Sequence, residues 1–229
     1  MFRVRLSDGL IESMTLAAVE AYCLGDGHGK SGLETYAYVW GYKRELEDET
    51  IFYLDRMSLS LSAARAEDSV TPSADAARLK NAIIERWSPH LTLLGDFHTH
   101  PFETLDGVLS AFEEDEGPTG GFHFSIADRE SFHGDDFLWE AADDTPVHIL
   151  MTICRMGKVR ESHGTTPLKP HIWHYDVGEF RFWLTINVGY VEDDERYLTV
   201  ETEDEVYLEL DSRFRNDAGD RVAGHIERD

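Results

Sequence analysis

Gly95-Asp96-Phe97-His98-Thr99-His100-Pro101 is the stretch on which the reading of this chain turns. It closes an apolar run that begins at Leu91, and a short apolar run ended by proline reads as a buried strand. Successive side chains of a strand point to opposite faces. His98 and His100 therefore share a face and present two imidazoles side by side. Neutral imidazole nitrogens are good zinc donors, and a carboxylate as third ligand leaves one position for water. A His-x-His pair also occurs at strand ends without any metal, so the neighbouring segments carry the decision.

Downstream, residues 102–124 are acidic and then glycine-rich, and read as an irregular insertion. After them, Ser125-Ile126-Ala127-Asp128 has the spacing of a capping box at the start of a helix, which fixes the direction of both side chains. Upstream, Glu34 begins the aromatic, β-rich run Glu34-Thr35-Tyr36-Ala37-Tyr38-Val39-Trp40-Gly41, which reads as a strand reaching to Lys43.

The remaining elements follow from period and punctuation. Ser7-Asp8 and Gly25 bracket a helix over the apolar run Leu10 to Leu24. Ile51 to Leu61 reads as a second strand. Thr71-Pro72 reads as a cap with proline at the first helical position, Leu79, Ile83 and Trp87 line one face at i, i+4 and i+8, and Pro89 ends that helix. Val147 to Met156 reads as a buried strand, followed by strands around 171–178, 180–191, 196–202 and 205–210 and a polar tail from Ser212. Strands alternate with helices over the first two thirds and dominate afterwards. The class is α/β or α+β, a mixed β-sheet flanked by helices.

Bulk properties narrow the partners. A chain of 229 residues, 41% hydrophobic and 11% aromatic, fits one globular domain, alone or with an extension. No run approaches the roughly 20 apolar residues that span a bilayer, and Met1 to Asp8 has no apolar signal region, so a soluble, cytoplasmic protein is expected. Cys23 and Cys154 lie far apart and read as reduced core residues. The net charge of −24 repels phosphate backbones and anionic lipid, which argues against nucleic acid and membrane and favours basic protein partners. Gly25 to Ser31 ends in Gly-Lys-Ser, but Leu24 stands where a phosphate loop needs glycine and the segment follows a helix. His123 and His133 read as surface residues, and His171 and His174 as residues of a sheet face.

Taken together, Glu34 on an early strand, His98-Thr99-His100-Pro101 and Ser125-x-x-Asp128 resemble the motif of the JAMM (MPN+) zinc metalloproteases, in their prokaryotic JAB-domain form. Glu34 stands seven residues before Gly41, as in that family's Glu-x-x-Gly-x-Leu-x-Gly strand, with Ala37 and Val39 replacing the inner glycine and leucine. The stretch 102–124 is longer than the family's usual spacing. Ser110-Ala111-Phe112-Glu113 is a nearer pair, but Phe124 and the run from Asp128 to Phe132 look more like the family's helix start.

The resemblance implies a cytidine-deaminase-like JAB/MPN core over residues 1–158, a β-rich extension over 159–211 and a tail over 212–229. It implies zinc held by His98, His100 and Asp128, Glu34 as general base and Ser125 as hydrogen-bond donor to the oxyanion. The implied reaction is hydrolysis of the bond after the C-terminal Gly-Gly of a ubiquitin-like modifier or its conjugate, beside E1- or E2-like proteins. Two alternatives stand next to it: a peptidase processing a small sulfur-carrier protein or peptide, and a metal-free scaffold that only binds partners. The insertion 102–124 starts beside one proposed ligand and ends beside another, and reads either as a lid whose Glu113 to Glu116 cluster attracts a basic substrate tail or as a tolerated surface excursion.

Overall fold

The computed structural model describes residues 1–25, 31–65, 70–113, 117–118, 120–157, 166–199 and 205–210. In chain order they form β1 (Phe2–Leu6), α1 (Asp8–Leu24), β2 (Tyr36–Glu45), β3 (Thr50–Leu59), β4 (Ala64–Arg65), β5 (Val70–Thr71), α2 (Ala74–Trp87), β6 (Thr92–Phe102), α3 (Leu105–Leu109), β7 (Phe112–Glu113), β8 (Gly117–Pro118), α4 (Ile126–His133), α5 (Asp136–Ala141), β9 (Val147–Arg155), β10 (Thr166–Lys169), β11 (Ile172–Val177), β12 (Phe180–Glu192), β13 (Glu195–Leu198) and β14 (Val206–Leu210). The tail from Ser212, most of the Gly25 to Ser31 loop and residues 114–116 lie outside the described residues.

One sheet organises the chain, in the order β10-β11-β12-β9-β6-β2-β3-β1-β14, with β13 added against β12. The pairs β6/β9, β1/β3 and β1/β14 are parallel and the others antiparallel, so this is a mixed α+β fold. The strands after residue 158 continue the sheet at both of its ends, through β12 on β9 and β14 on β1. The sheet curls until those ends meet: Leu208 N–H donates to Pro170 O at 2.8 Å, and Trp173 Nε1 donates to Leu208 O at 3.1 Å.

Both faces of the sheet are covered, which explains why Val147 to Cys154 is buried at every position and mostly apolar. On one face α1 packs Leu10, Ile11, Met14 and Ala18 against Ala37, Val39, Phe97, Ile149 and Met151. Ser7 caps this helix by accepting from Leu10 N–H, and Gly25 ends it at φ 60°. The other face carries Tyr36, Tyr38, Trp40 and Leu93 under α2, α4 and α5, with Phe132, Leu138 and Trp139 as the largest contributors from the helices. Glycine is required where β6 crosses β9, because a Cβ on Gly95 would stand 2.1 Å from the Val147 carbonyl oxygen.

Helix α2 departs from its expected form. It begins at Ala74 under a Ser73 cap, two residues after Thr71-Pro72. Its apolar stripe faces outward, with Leu79 64%, Ile83 39% and Trp87 80% exposed. The packed side is Ala77, Lys80, Asn81 and Ile84. Asn81 accepts from Trp40 Nε1 at 3.0 Å, and Lys80 donates to Leu59 O and lies over the Tyr38 ring. Hydrogen bonds to the buried aromatic row set the helix's rotation, and the apolar period does not. Cys154 is buried and Cys23 half-buried, and both are free thiols.

Candidate metal centre

Strand period places the site. Asp96, His98 and His100 alternate along β6 toward the face covered by α4, while Thr99 points the other way and ties down the segment before β2. Thr35 N–H donates to Thr99 Oγ1 at 2.9 Å, and Thr99 N–H donates to Thr35 O at 3.1 Å. The register then runs on to Tyr36 opposite His98, so Glu34 lies opposite His100 at the strand's approach. Glu34 is 7% exposed and lines the same cleft, of about 510 Å³, as His98, His100, Ser125 and Asp128.

Three donors converge there. His98 Nε2 and His100 Nε2 stand 3.2 Å apart, Asp128 Oδ1 is 3.3 Å from His98 Nε2, and Asp128 Oδ2 is 3.2 Å from His100 Nε2. Donor atoms of one tetrahedral zinc stand about 3.3–3.4 Å apart, and the two imidazole nitrogens keep that separation from each other and each from its own Asp128 oxygen, Oδ1 for His98 and Oδ2 for His100. Nitrogen and carboxylate donors also match zinc chemically. The residues therefore fit the ion.

Neighbouring groups fix the ligands. His100 Nδ1 is 3.4 Å from the Gly121 carbonyl oxygen, so Nδ1–H donates outward and Nε2 is left as the donor atom. That carbonyl also accepts from Thr152 Oγ1 at 2.8 Å. Gly121 belongs to the 102–124 insertion, whose beginning and end are packed: Phe102, Leu105, Val108 and Phe122 sit against Cys154 and Trp183. Asp128 is held by Ser125 in a capping box at the start of α4, so the structural and chemical roles of that pair coexist.

Electrostatics follow from burial and proximity. Burial lowers the pKa of His98 below the usual imidazole value, against the pull of Asp128. Burial acts the same way on His100, but Asp128, Glu34 and the Gly121 carbonyl outweigh it and raise the pKa. Burial works against the Asp128 carboxylate too, yet His98 and His100 hold it far below the ordinary range. A carboxylate and a neutral imidazole are the forms that bind metal.

All five residues expected from the sequence thus meet in one cleft. Ser110 instead ends α3, where its hydroxyl donates to Asp106 O at 2.6 Å, so it opens no helix. The side chain of Glu113 lies outside the described residues. His133 packs against Trp139, and His123 lines a separate cavity of about 420 Å³ with Lys169 and His171. A larger groove, about 680 Å³, opens beside β1, β3 and β14, where Arg5 is bound to Glu209 and Tyr53. Among the described residues, neither of these cavities holds a converging donor set.

Three further polar residues in the metal cleft were not singled out from the sequence. Asp96 accepts from His148 Nδ1 at one oxygen and from Tyr36 Oη, at 2.9 Å, at the other. The signals were present: Asp96 shares the period of His98 and His100, and His148 is a lone histidine in an apolar strand.

No family model and no curated protein matches the chain. Among solved structures, the N-terminal domain of STIL from Trichoplax adhaerens aligns at a TM-score of 0.38 and 11% identity, over 82% of this chain and 42% of that one. The chain thus spans less than half of that protein, and a likeness at this level supports no shared role.

Proposed function

We propose that this chain is a zinc-dependent peptidase or isopeptidase of the JAMM (MPN+) type, with a JAB-like core and a β-rich C-terminal extension. The observation that carries the reading is the convergence of His98 Nε2, His100 Nε2 and the two Asp128 carboxylate oxygens at 3.2–3.3 Å, in one cleft with Glu34. The substrate class we favour is the bond after the C-terminal Gly-Gly of a ubiquitin-like protein or its conjugate, with E1- or E2-like proteins as companions in a cytoplasmic setting. No helix among the described residues is long and apolar enough to cross a membrane.

His98, His100 and Asp128 would hold the ion. When bound, zinc supplies Lewis acidity that polarises a carbonyl and makes water acidic near neutral pH. Glu34 takes a proton from the attacking water on its carboxylate and returns it to the leaving amine nitrogen, work worth typically ~10²–10⁴ in rate. Ser125 lines the cleft and its Oγ accepts from Asp128 N–H, a bond that leaves the hydroxyl hydrogen free to donate to the developing oxyanion. A scaffold that only binds partners would not need the complete donor set with a buried carboxylate beside it.

The test is hydrolysis of a panel of ubiquitin-like fusions and conjugates by wild type and Glu34→Gln. The amide keeps the carboxylate's shape without its basicity, so the variant should retain zinc and lose more than nine tenths of turnover. Turnover above about a tenth of wild type would move the base elsewhere, and no cleavage by zinc-loaded wild type would remove the peptidase reading.

A further inference from the structure

The Asp96–His148–Tyr36 group has no part in the reaction as derived above. Asp96 and His148 are register partners across β6 and β9, 4% and 2% exposed, and they line the metal cleft. The Asp96 carboxylate is satisfied at both oxygens, by the His148 ring and by Tyr36. Burial and the adjoining Asp96 raise the Tyr36 pKa well above its usual value, so the phenol stays a donor. Two buried residues, Asp96 and Tyr36, thus hold the His148 imidazole in one orientation and one tautomer, with Nδ1–H on the carboxylate.

The other ring nitrogen is left over. His148 Nε2 is buried and has no hydrogen-bond partner among the described residues. An unmatched buried acceptor is destabilising, because it gives up its hydrogen bond to water and gains none in return. Packing alone does not account for it: the ring lies parallel to Phe124 and Phe132, each at 4.4 Å, where an apolar ring would serve without that cost. The ring also stacks on His98, with centroids 5.0 Å apart. A donor reaching Nε2 therefore lies within about two residues of the metal ligands along an extended chain, at roughly 3.3 Å per residue.

We propose that His148 Nε2 accepts a hydrogen bond from a backbone N–H of the substrate chain next to the scissile bond, making His148 a substrate-positioning residue. The inference rests on the peptidase reading and deepens it. A Gly-Gly tail carries no side-chain donors, so its backbone N–H groups are what a buried acceptor can recognise. Asp96 and Asp128 are each engaged at both oxygens, and Nε2 is the acceptor that remains from this polar row.

The test couples protein and substrate. Zinc-loaded wild type and His148→Phe are compared on a short peptide ending in Gly-Gly linked to a fluorogenic amine, and on the same peptide N-methylated at each backbone amide in turn. In wild type, methylation at one position should raise KM about tenfold, the loss of one buried hydrogen bond. In His148→Phe the parent peptide should already show that rise, and methylation at that position should add nothing. Asp96→Leu/His148→Phe removes the buried carboxylate as well and gives the same readout if the single variant does not fold. Equal methylation effects in wild type and variant at every position overturn the inference and leave the peptidase reading standing. Wild type that cleaves no peptide in the series removes both.

Discussion

Ser125 and Asp128 bind each other twice: Ser125 N–H donates to Asp128 Oδ2 at 2.7 Å, and Asp128 N–H donates to Ser125 Oγ at 3.1 Å. Neither bond uses the serine's hydroxyl hydrogen, so capping and chemistry can be separated. Ser125→Ala should cost about 1 kcal/mol of stability and Ser125→Gly only a few tenths, because glycine is a tolerable cap. Both variants should lose about 10²–10³ in turnover, since both lack the hydroxyl. Chemical denaturation and kcat measured on the same preparations check this. Near-normal turnover in the glycine variant would leave Ser125 a cap and nothing more.

Thr152, the register partner of His100 across β6 and β9, reaches that ligand's ring through Gly121. Its hydroxyl and His100 Nδ1–H meet at one carbonyl oxygen. Thr152→Val keeps the side chain's shape and removes the donor that anchors that carbonyl. Outer partners of metal-bound histidines are worth 10–100-fold in affinity, and an indirect one should give about tenfold weaker zinc binding. Competition against a chromophoric chelator reads it, and unchanged affinity would mean that the insertion holds its place without Thr152.

The closing strand β14 is held to β1 by Glu209, which accepts from both Arg3 and Arg5. Burial pushes the Glu209 pKa up, but the two guanidiniums outweigh it and pull it below the usual glutamate value. A carboxylate whose pKa is lower folded than unfolded stabilises above its unfolded value, about 4.3, and that contribution is lost as pH falls through the folded one. Glu209→Gln should therefore cost up to about 1 kcal/mol at pH 7, modest because the pair is partly exposed. The gap to wild type should close on acidification below pH 4. A gap that persisted there would have another origin.

The rotation of α2 predicts a reversal of what its apolar stripe implies. Leu79→Gln and Trp87→Gln should change stability by less than about 0.5 kcal/mol, as exposed substitutions do. Ala77→Leu, on the packed side under Tyr38 and Trp40, should cost about 1–3 kcal/mol from overpacking. Thermal melts of the three variants suffice, and a large loss at Trp87 would contradict the observed rotation.

What was legible in the sequence divides along physical lines. Strand period set His98 and His100 on one face, and the capping-box spacing aimed Asp128, because both depend on neighbours only two or three residues apart. The central strand, read as Val147 to Met156, was legible from its mostly apolar run. Which face of helix α2 packs was not legible, because Asn81 and Lys80 bind Trp40 and Leu59, contacts between distant residues that no local period carries. Asp96 and His148 went unassigned for the same reason: they become a pair only once β6 and β9 lie side by side. The closure of the sheet through Pro170 and Leu208 is likewise a long-range fact.

The central claim is that His98, His100 and Asp128 hold one catalytic zinc, and metal stoichiometry tests it most directly. Protein purified without added metal, analysed by plasma mass spectrometry before and after zinc titration and desalting, should carry about one equivalent. His100→Ala and Asp128→Ala should carry none under the same treatment, since two donors do not make a tight site. Less than a tenth of an equivalent in wild type, with no recovery on titration, or full occupancy in either variant, would contradict the account.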